Sequence, residues 1–256
     1  MPRGAILLDH IEAEDVHRVS LHFVLKIDNP RPLSAGVTVE GWTLRINGVE
    51  TRGGAALSGA GGLSFLAEPG LSAEIPLRLD LDLDALARGV LDWKNELNLT
   101  TDLALSYGAG SPVRISAGGT AEFPRIMEPV FTITGIAVLK AELINTRFRV
   151  SLRIDNPNPF PVELSAFSYE LYEGGRFWAD GEEKNILHIP AMSQADTRLF
   201  LVMNFIGMKR ELLDKIIYLR NVRYRFTGKA EVSTGIPFLP RFRTGFDLSG
   251  YSEVLE

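Results

Sequence analysis

The feature that most limits how this chain can fold is an internal repeat. A displacement of 127 positions lays LHFVLKIDNPRPLSAGV on FRVSLRIDNPNPFPVEL, so that Ile27, Asp28, Asn29, Pro30 and Pro32 meet Ile154, Asp155, Asn156, Pro157 and Pro159. The same displacement carries Trp42 onto the aromatic Tyr169, Leu44 onto Leu171, Gly48 onto Gly175 and Ser106 onto Ser233. A register held over about 80 residues implies two copies of one structural unit. The copies are expected at residues 1–124 and 125–256, joined near Pro124 to Pro129.

Each copy opens its signature with strict alternation, the period of a strand with one face in a core. Leu21, Phe23, Leu25 and Ile27 form the inward set of the first copy, and Phe148, Val150, Leu152 and Ile154 that of the second. The strand is expected to stop at Asp-Asn-Pro. Proline cannot donate to a ladder, and the residue before it is pushed out of the helical region. Asp28 and Asp155 are then expected to brace the exit through Asx-type turns. Further strands are predicted near Val37 to Ile46 and Leu164 to Tyr172, turning at Asn47-Gly48 and Gly174-Gly175. Others follow at Ala73 to Leu83, Thr197 to Met203, Asn98 to Ser106 and Val222 to Ser233, with a last alternating segment in each copy. The loops between differ: residues 53–62 are glycine-rich, and Asp180 to Lys184 are charged. Two short helices are predicted, at Asp84 to Val90 and Met208 to Leu219, the second on an apolar stripe of Leu212, Leu213, Ile216, Ile217 and Leu219. The fold class expected is mainly β: two tandem antiparallel β-sandwich domains, each of about seven strands with one short helix.

Composition excludes several functions. With 45% hydrophobic and 23% charged residues the chain is a globular protein with a core. A formal net charge of −5 argues against general nucleic-acid binding, and no nucleic-acid partner is expected. The charge is uneven, −6 over residues 1–124 and +1 over 125–256. Zero cysteines removes disulfides, thiol nucleophiles and thiolate metal sites. No run is long and apolar enough for a membrane-spanning helix, and the chain is expected to be soluble. The run Ala5 to Leu8 is too short for a signal-peptide core. The expected location is therefore cytoplasmic, or exported behind a leader or lipid anchor that these residues do not include.

Few residues carry chemistry. His10, His17, His22 and His188 lack the spacing of a helical metal site and are read as structural or surface histidines. Nucleophile elbows and phosphate loops are missing, so no catalytic residue, cofactor or metal is expected. Asp80, Asp82 and Asp84 alternate with leucines. They are read as a solvated strand face ending in a helix N-cap, with weak divalent binding as the alternative, and the matching Arg198, Phe200 and Val202 keep none of the acids. A basic region with interleaved aromatics, including Lys209, Arg210, Arg223, Arg225, Arg241 and Arg243, is either ordinary surface or an interaction surface for an anionic membrane or polyanion.

The alternating strand, then Asn156 to Pro161 as Asn-Pro-Asn-Pro-Phe-Pro, then Tyr169 to Gly175 as Tyr-x-Leu-x-x-x-Gly, resembles the water stress and hypersensitive response (WHy) domain of the group 2 late embryogenesis abundant family. The signature residues are Asp28, Asn29, Pro30, Asp155, Asn156, Pro157, Asn158 and Pro159; the first copy departs at Arg31 and Leu33. The resemblance implies a non-catalytic β-sandwich protein associated with desiccation and other water stress. Its expected partners are client proteins or, as the alternative, membrane lipids or another apolar ligand.

Overall fold

The computed structural model describes residues 1–51, 53–58, 64–86, 90–140, 146–173, 175–203 and 222–252. The chain divides into two compact units, Met1–Ile126 and Met127–Glu256. All regular structure among the described residues is β-strand, and within each sheet every pairing is antiparallel.

The first unit is two facing sheets. One runs β1 (Arg3–Ala13), β2 (Arg18–Asp28), β7 (Ser72–Asp82), β5 (Ala55–Ser58). The other runs β4 (Val49–Thr51), β3 (Ala35–Ile46), β8 (Lys94–Ser106), β9 (Val113–Pro124), with β6 (Ser64–Ala67) also on β3. The alternation seen in the sequence is the packing. Leu21, Phe23, Leu25 and Ile27 of β2 are buried against Val37, Leu44 and Ile46 of β3 and Leu97, Leu99, Leu103 and Leu105 of β8 in one cluster. Each such side chain contributes about 1.5–3 kcal/mol on leaving water, so the inward faces of these three strands supply a large share of the unit's driving force. The side of the sandwich is closed where β1 meets β9 at Gly119, where any Cβ would overlap the Ile6 carbonyl.

The second unit repeats the plan. One sheet runs β10 (Val130–Lys140), β11 (Thr146–Asn156), β15 (Ser193–Met203). The other runs β13 (Arg176–Glu183), β12 (Val162–Glu173), β16 (Val222–Ser233), β17 (Arg241–Ser252), with β14 (Leu187–Ile189) on β12. Its core is more aromatic: Phe131, Phe167, Tyr169, Phe226 and Phe246 lie with neighbouring ring centroids 4.7–6.1 Å apart. Gly181 and Gly228 leave room for these rings, since a Cβ at either would overlap Tyr169 or Phe246. The Tyr169 hydroxyl donates to the Phe200 carbonyl at 3.1 Å, joining β12 to β15 across the sandwich.

Four expectations change. Residues 83–86 form a turn rather than the start of a helix, because the Asp82 carboxylate accepts the Asp84 and Ala85 N–H groups and closes the chain on itself; residues 87–89 and the second predicted helix, 208–219, lie outside the described residues. Part of the glycine-rich loop is the edge strand β5, and most of the charged loop lies in β13. These two strands join different sheets, β5 pairing with β7 and β13 with β12, which gives the units their different sheet sizes. Strands β1 and β10, absent from the expected series, precede the signature strand in each unit. The Asn47-Gly48 turn has the positive φ values of 50° and 80° that a tight hairpin requires, and Gly175 has φ 81°.

Candidate functional site

The signature builds a buried polar knot at the exit of the core strand. Asn29 and Asn156 are 1% and 2% exposed. The Asn29 amide nitrogen donates to the carbonyls of Leu33, Ala67 and Glu68 at 2.8–3.3 Å. Asn156 does the same to Phe160, Ile189 and Pro190 at 2.9–3.3 Å. The side-chain oxygens accept from the backbone N–H two residues on, Arg31 at 3.2 Å and Asn158 at 3.0 Å. The Asx turn expected of Asp28 and Asp155 is therefore made by the asparagines. A carboxylate has no donor for three carbonyls, whereas an amide has. Asp28 is exposed and accepts from the Ser72 hydroxyl on β7, and Asp155 is half-buried.

The copies complete the knot differently. In the second, Asn158, fully buried, donates its amide to Asn156 Oδ1 at 3.0 Å and to the Met127 carbonyl at 2.8 Å, and accepts from Met127 N–H at 2.8 Å. In the first, Arg31 stands there, its guanidinium 4.3 Å over the Tyr107 ring, and the Tyr107 hydroxyl donates to Asn29 Oδ1 at 3.2 Å. The tyrosine supplies from β8's end the donor that the signature's second asparagine supplies locally. Pro30 and Pro159 are exposed and Pro157 half-buried; all three shape the chain around the knot.

The outer faces of the signature-strand sheets diverge. Asp28 faces Ser72 and Asp155 faces Gln194, so β15 corresponds to β7 with a displacement of 122. The counterpart of Asp80 is then Val202, not Arg198. Lys26–Glu74 at 2.9 Å and Arg153–Asp196 at 3.0 Å are equivalent ion pairs. Beyond them the faces differ. The first unit has His22 beside Arg78 and Ser20 beside Asp80, whereas the second has Arg149 beside Phe200 and Arg147 beside Val202. Phe200 and Val202 are more than half exposed. On β1, a bulge at Asp9 turns His10 outward opposite His22. The two imidazoles stack with centroids 4.2 Å apart, and both Nε2 atoms face Glu12, at 3.5 and 3.3 Å. No local spacing signals this pairing; it exists only across the hairpin. His17 and His188 lie beside Asp84 at 2.9 Å and Glu163 at 3.1 Å.

Asp82 and Asp84 are occupied by the turn and by His17. In the basic region Arg225 grips Asp247 at 2.6 Å and Arg241 meets Glu231 at 3.4 Å. Arg223 and Arg243 are exposed, and Lys209 and Arg210 lie outside the described residues. An open cleft of about 540 Å³ lies against the larger sheet of the second unit, among Glu170, Asp180, Glu182, Lys229 and Asp247. Among the described residues of the basic region, Arg223, Arg225, Arg241 and Arg243 line no part of this cleft. The Arg225 guanidinium holds the Asp247 carboxyl below the ordinary carboxylate range.

The family model described as "Late embryogenesis abundant protein" matches residues 151–248, inside the second unit. No curated protein sequence matches the chain. Among solved structures the chain is similar to a protein from Archaeoglobus fulgidus, at 15% identity over 51% of this chain and 99% of that one, with TM-score 0.31. Red sea bream transglutaminase is similar at 12% identity over 98% of this chain, and Bacteroides uniformis β-glucuronidase at 7% over 96%, with TM-scores 0.26 and 0.32. The chain spans 31% and 32% of the length of those two enzymes.

Asp80 gives the outer face of the first unit a pH dependence. Burial raises its pKa, but the Ser20 hydroxyl at 2.6 Å and the Arg78 guanidinium at 2.7 Å outweigh burial and hold the carboxyl below its ordinary value of 3.8. A lowered folded pKa contributes stability above the unfolded value, and that stability is lost as pH falls through the folded value. The stability difference between wild type and Asp80→Asn, from urea unfolding, is expected to be constant from about pH 7 to pH 5 and to shrink below about pH 4. A difference that stays constant down to about pH 2.5 contradicts the coupling.

Proposed function

We propose that the chain is a non-catalytic, stress-protective protein of the late embryogenesis abundant type that works by binding. The observation carrying this reading is the family match over residues 151–248. The arrangement of ionisable groups supports it. The carboxylates around the second-unit cleft are solvated or neutralised by neighbours: Asp180 and Glu182 are exposed, Glu170 accepts from the Tyr172 hydroxyl at 2.6 Å, and Asp247 is lowered by Arg225. A general acid needs the opposite of what Arg225 does to Asp247, a carboxyl raised by burial towards neutral pH. The purified protein is expected to preserve a client enzyme's activity through drying and rehydration at molar ratios where serum albumin does not. Protection no better than albumin's removes the proposal.

A second reading, binding to a lipid surface, is favoured by the outer face of the β10–β11–β15 sheet. There Arg147, Arg149 and Arg198 surround exposed Phe200 and Val202, a pattern of cations framing apolar side chains that suits an anionic bilayer surface. Vesicles containing phosphatidylserine are expected to co-sediment with wild type and to lose most of that binding with Arg149→Glu or Phe200→Ser. Equal sedimentation of wild type and both variants, or none by wild type, rejects the lipid reading.

A further inference from the structure

The β1–β2 hairpin of the first unit assembles three metal-ligating side chains that the repeat does not otherwise possess. We infer that His10, Glu12 and His22 form a binding site for a borderline divalent transition ion of the zinc class. The three ligand atoms lie within 4.8 Å of one another, with each imidazole Nε2 at 3.3–3.5 Å from a Glu12 oxygen. Ligands bound at about 2.0–2.1 Å in a tetrahedron are separated by about 3.3–3.4 Å. The two imidazoles approach different Glu12 oxygens at nearly that separation, and their rings, stacked 7° from parallel, turn towards each other to point both Nε2 lone pairs at one ion. Two imidazoles and a carboxylate suit zinc and its neighbours, whereas calcium and magnesium require an oxygen shell.

Three further observations point to the same place. The His22 Nε2 atom is buried and has no hydrogen-bond partner; it lies 3.3 Å from Glu12 outside hydrogen-bonding geometry. An uncompensated buried imidazole nitrogen costs stability unless something satisfies it, and a cation between it and Glu12 does so. Asp9 Oδ2 sits 2.8 Å from His10 Nδ1, the carboxylate–imidazole contact that fixes the ring with Nε2 available to a metal. The same Asp9 is the bulge residue, so one insertion both turns His10 outward and braces it. Arg78, opposite His22, is drawn to Asp80 at 2.7 Å and to Ser20 at 3.1 Å.

The second unit is a built-in control. The pair His10–His22 corresponds to the pair Ala137–Arg149, and Glu12, opposite Ser20, to Lys140, opposite Arg147. The equivalent hairpin therefore carries no ligand set there, and its bulges fall at Thr134 and Leu139 instead of at the position of Asp9. Among the described residues the remaining space around the ion faces solvent, since His10 and Glu12 are exposed, and water completes the shell.

The test is calorimetric titration of the tag-free full chain with zinc chloride, alongside His22→Ala, Glu12→Gln, Asp9→Asn and His188→Ala. One ion per chain is expected. Affinity should fall at least ~10-fold in His22→Ala and in Glu12→Gln, fall about 10-fold in Asp9→Asn, and stay unchanged in His188→Ala. Heteronuclear spectra of wild type should show zinc moving the imidazole nitrogens of His10 and His22. Absence of binding by wild type, or wild-type affinity in both His22→Ala and Glu12→Gln, overturns the site. Glu12 is exposed, so Glu12→Gln decides the matter if His22→Ala fails to fold.

Discussion

A buried primary amide surrounded by backbone carbonyls holds each unit together at its least forgiving point. Where β2 or β11 leaves the core, the chain must turn and enter the opposite sheet while carbonyls of its own exit and of one distant segment converge. Without water these carbonyls need donors, and an unpaired buried polar group costs about 1–3 kcal/mol. Asn29 and Asn156 supply donors to the strand's own exit and to the segment leading into β7 or β15. One side chain thereby fixes the turn, the entry to the next sheet and the position of the third strand. The prolines set the chain's path around this point, but the amide determines where that path ends.

Much of this plan could be read from residues. The alternation of Phe148, Val150, Leu152 and Ile154 predicted a core strand, and all four are buried. The repeat predicted two units of one design, each of paired sheets. The choice between aspartate and asparagine could not be read, because either residue can close an Asx turn. Burial decides it, and burial depends on carbonyls about 30–40 residues away. Strand β1 was hidden because the Asp9 bulge breaks its alternation between Leu8 and His10. The pairing of His10 with His22 was hidden for the same reason, since contacts across strands follow register rather than sequence spacing. The turn at 83–86 replaced a predicted helix because the Asp82 side chain offers the backbone a competing set of bonds.

Function in such a design is set by what the common scaffold displays. The equivalent ion pairs Lys26–Glu74 and Arg153–Asp196 mark the constant part of the outer face. Around them one unit carries imidazoles and carboxylates, and the other arginines with exposed Phe200 and Val202. Neither face alters the core, so each can vary without loss of the fold, which is how one architecture comes to display different outer surfaces.

The central claim is that the asparagine of the signature, and not its aspartate, anchors each unit. Urea unfolding of full-length Asp155→Asn and Asn156→Asp compares the two neighbours directly. Asp155→Asn is expected to stay within about 1 kcal/mol of wild type, because the knot's hydrogen bonds run through Asn156 and Asn158 and not through Asp155. Asn156→Asp is expected to lose about 3 kcal/mol or more, because a carboxylate leaves three carbonyls without donors and brings a charge into the core. Equal losses in the two variants, or a larger loss in Asp155→Asn, would contradict the account.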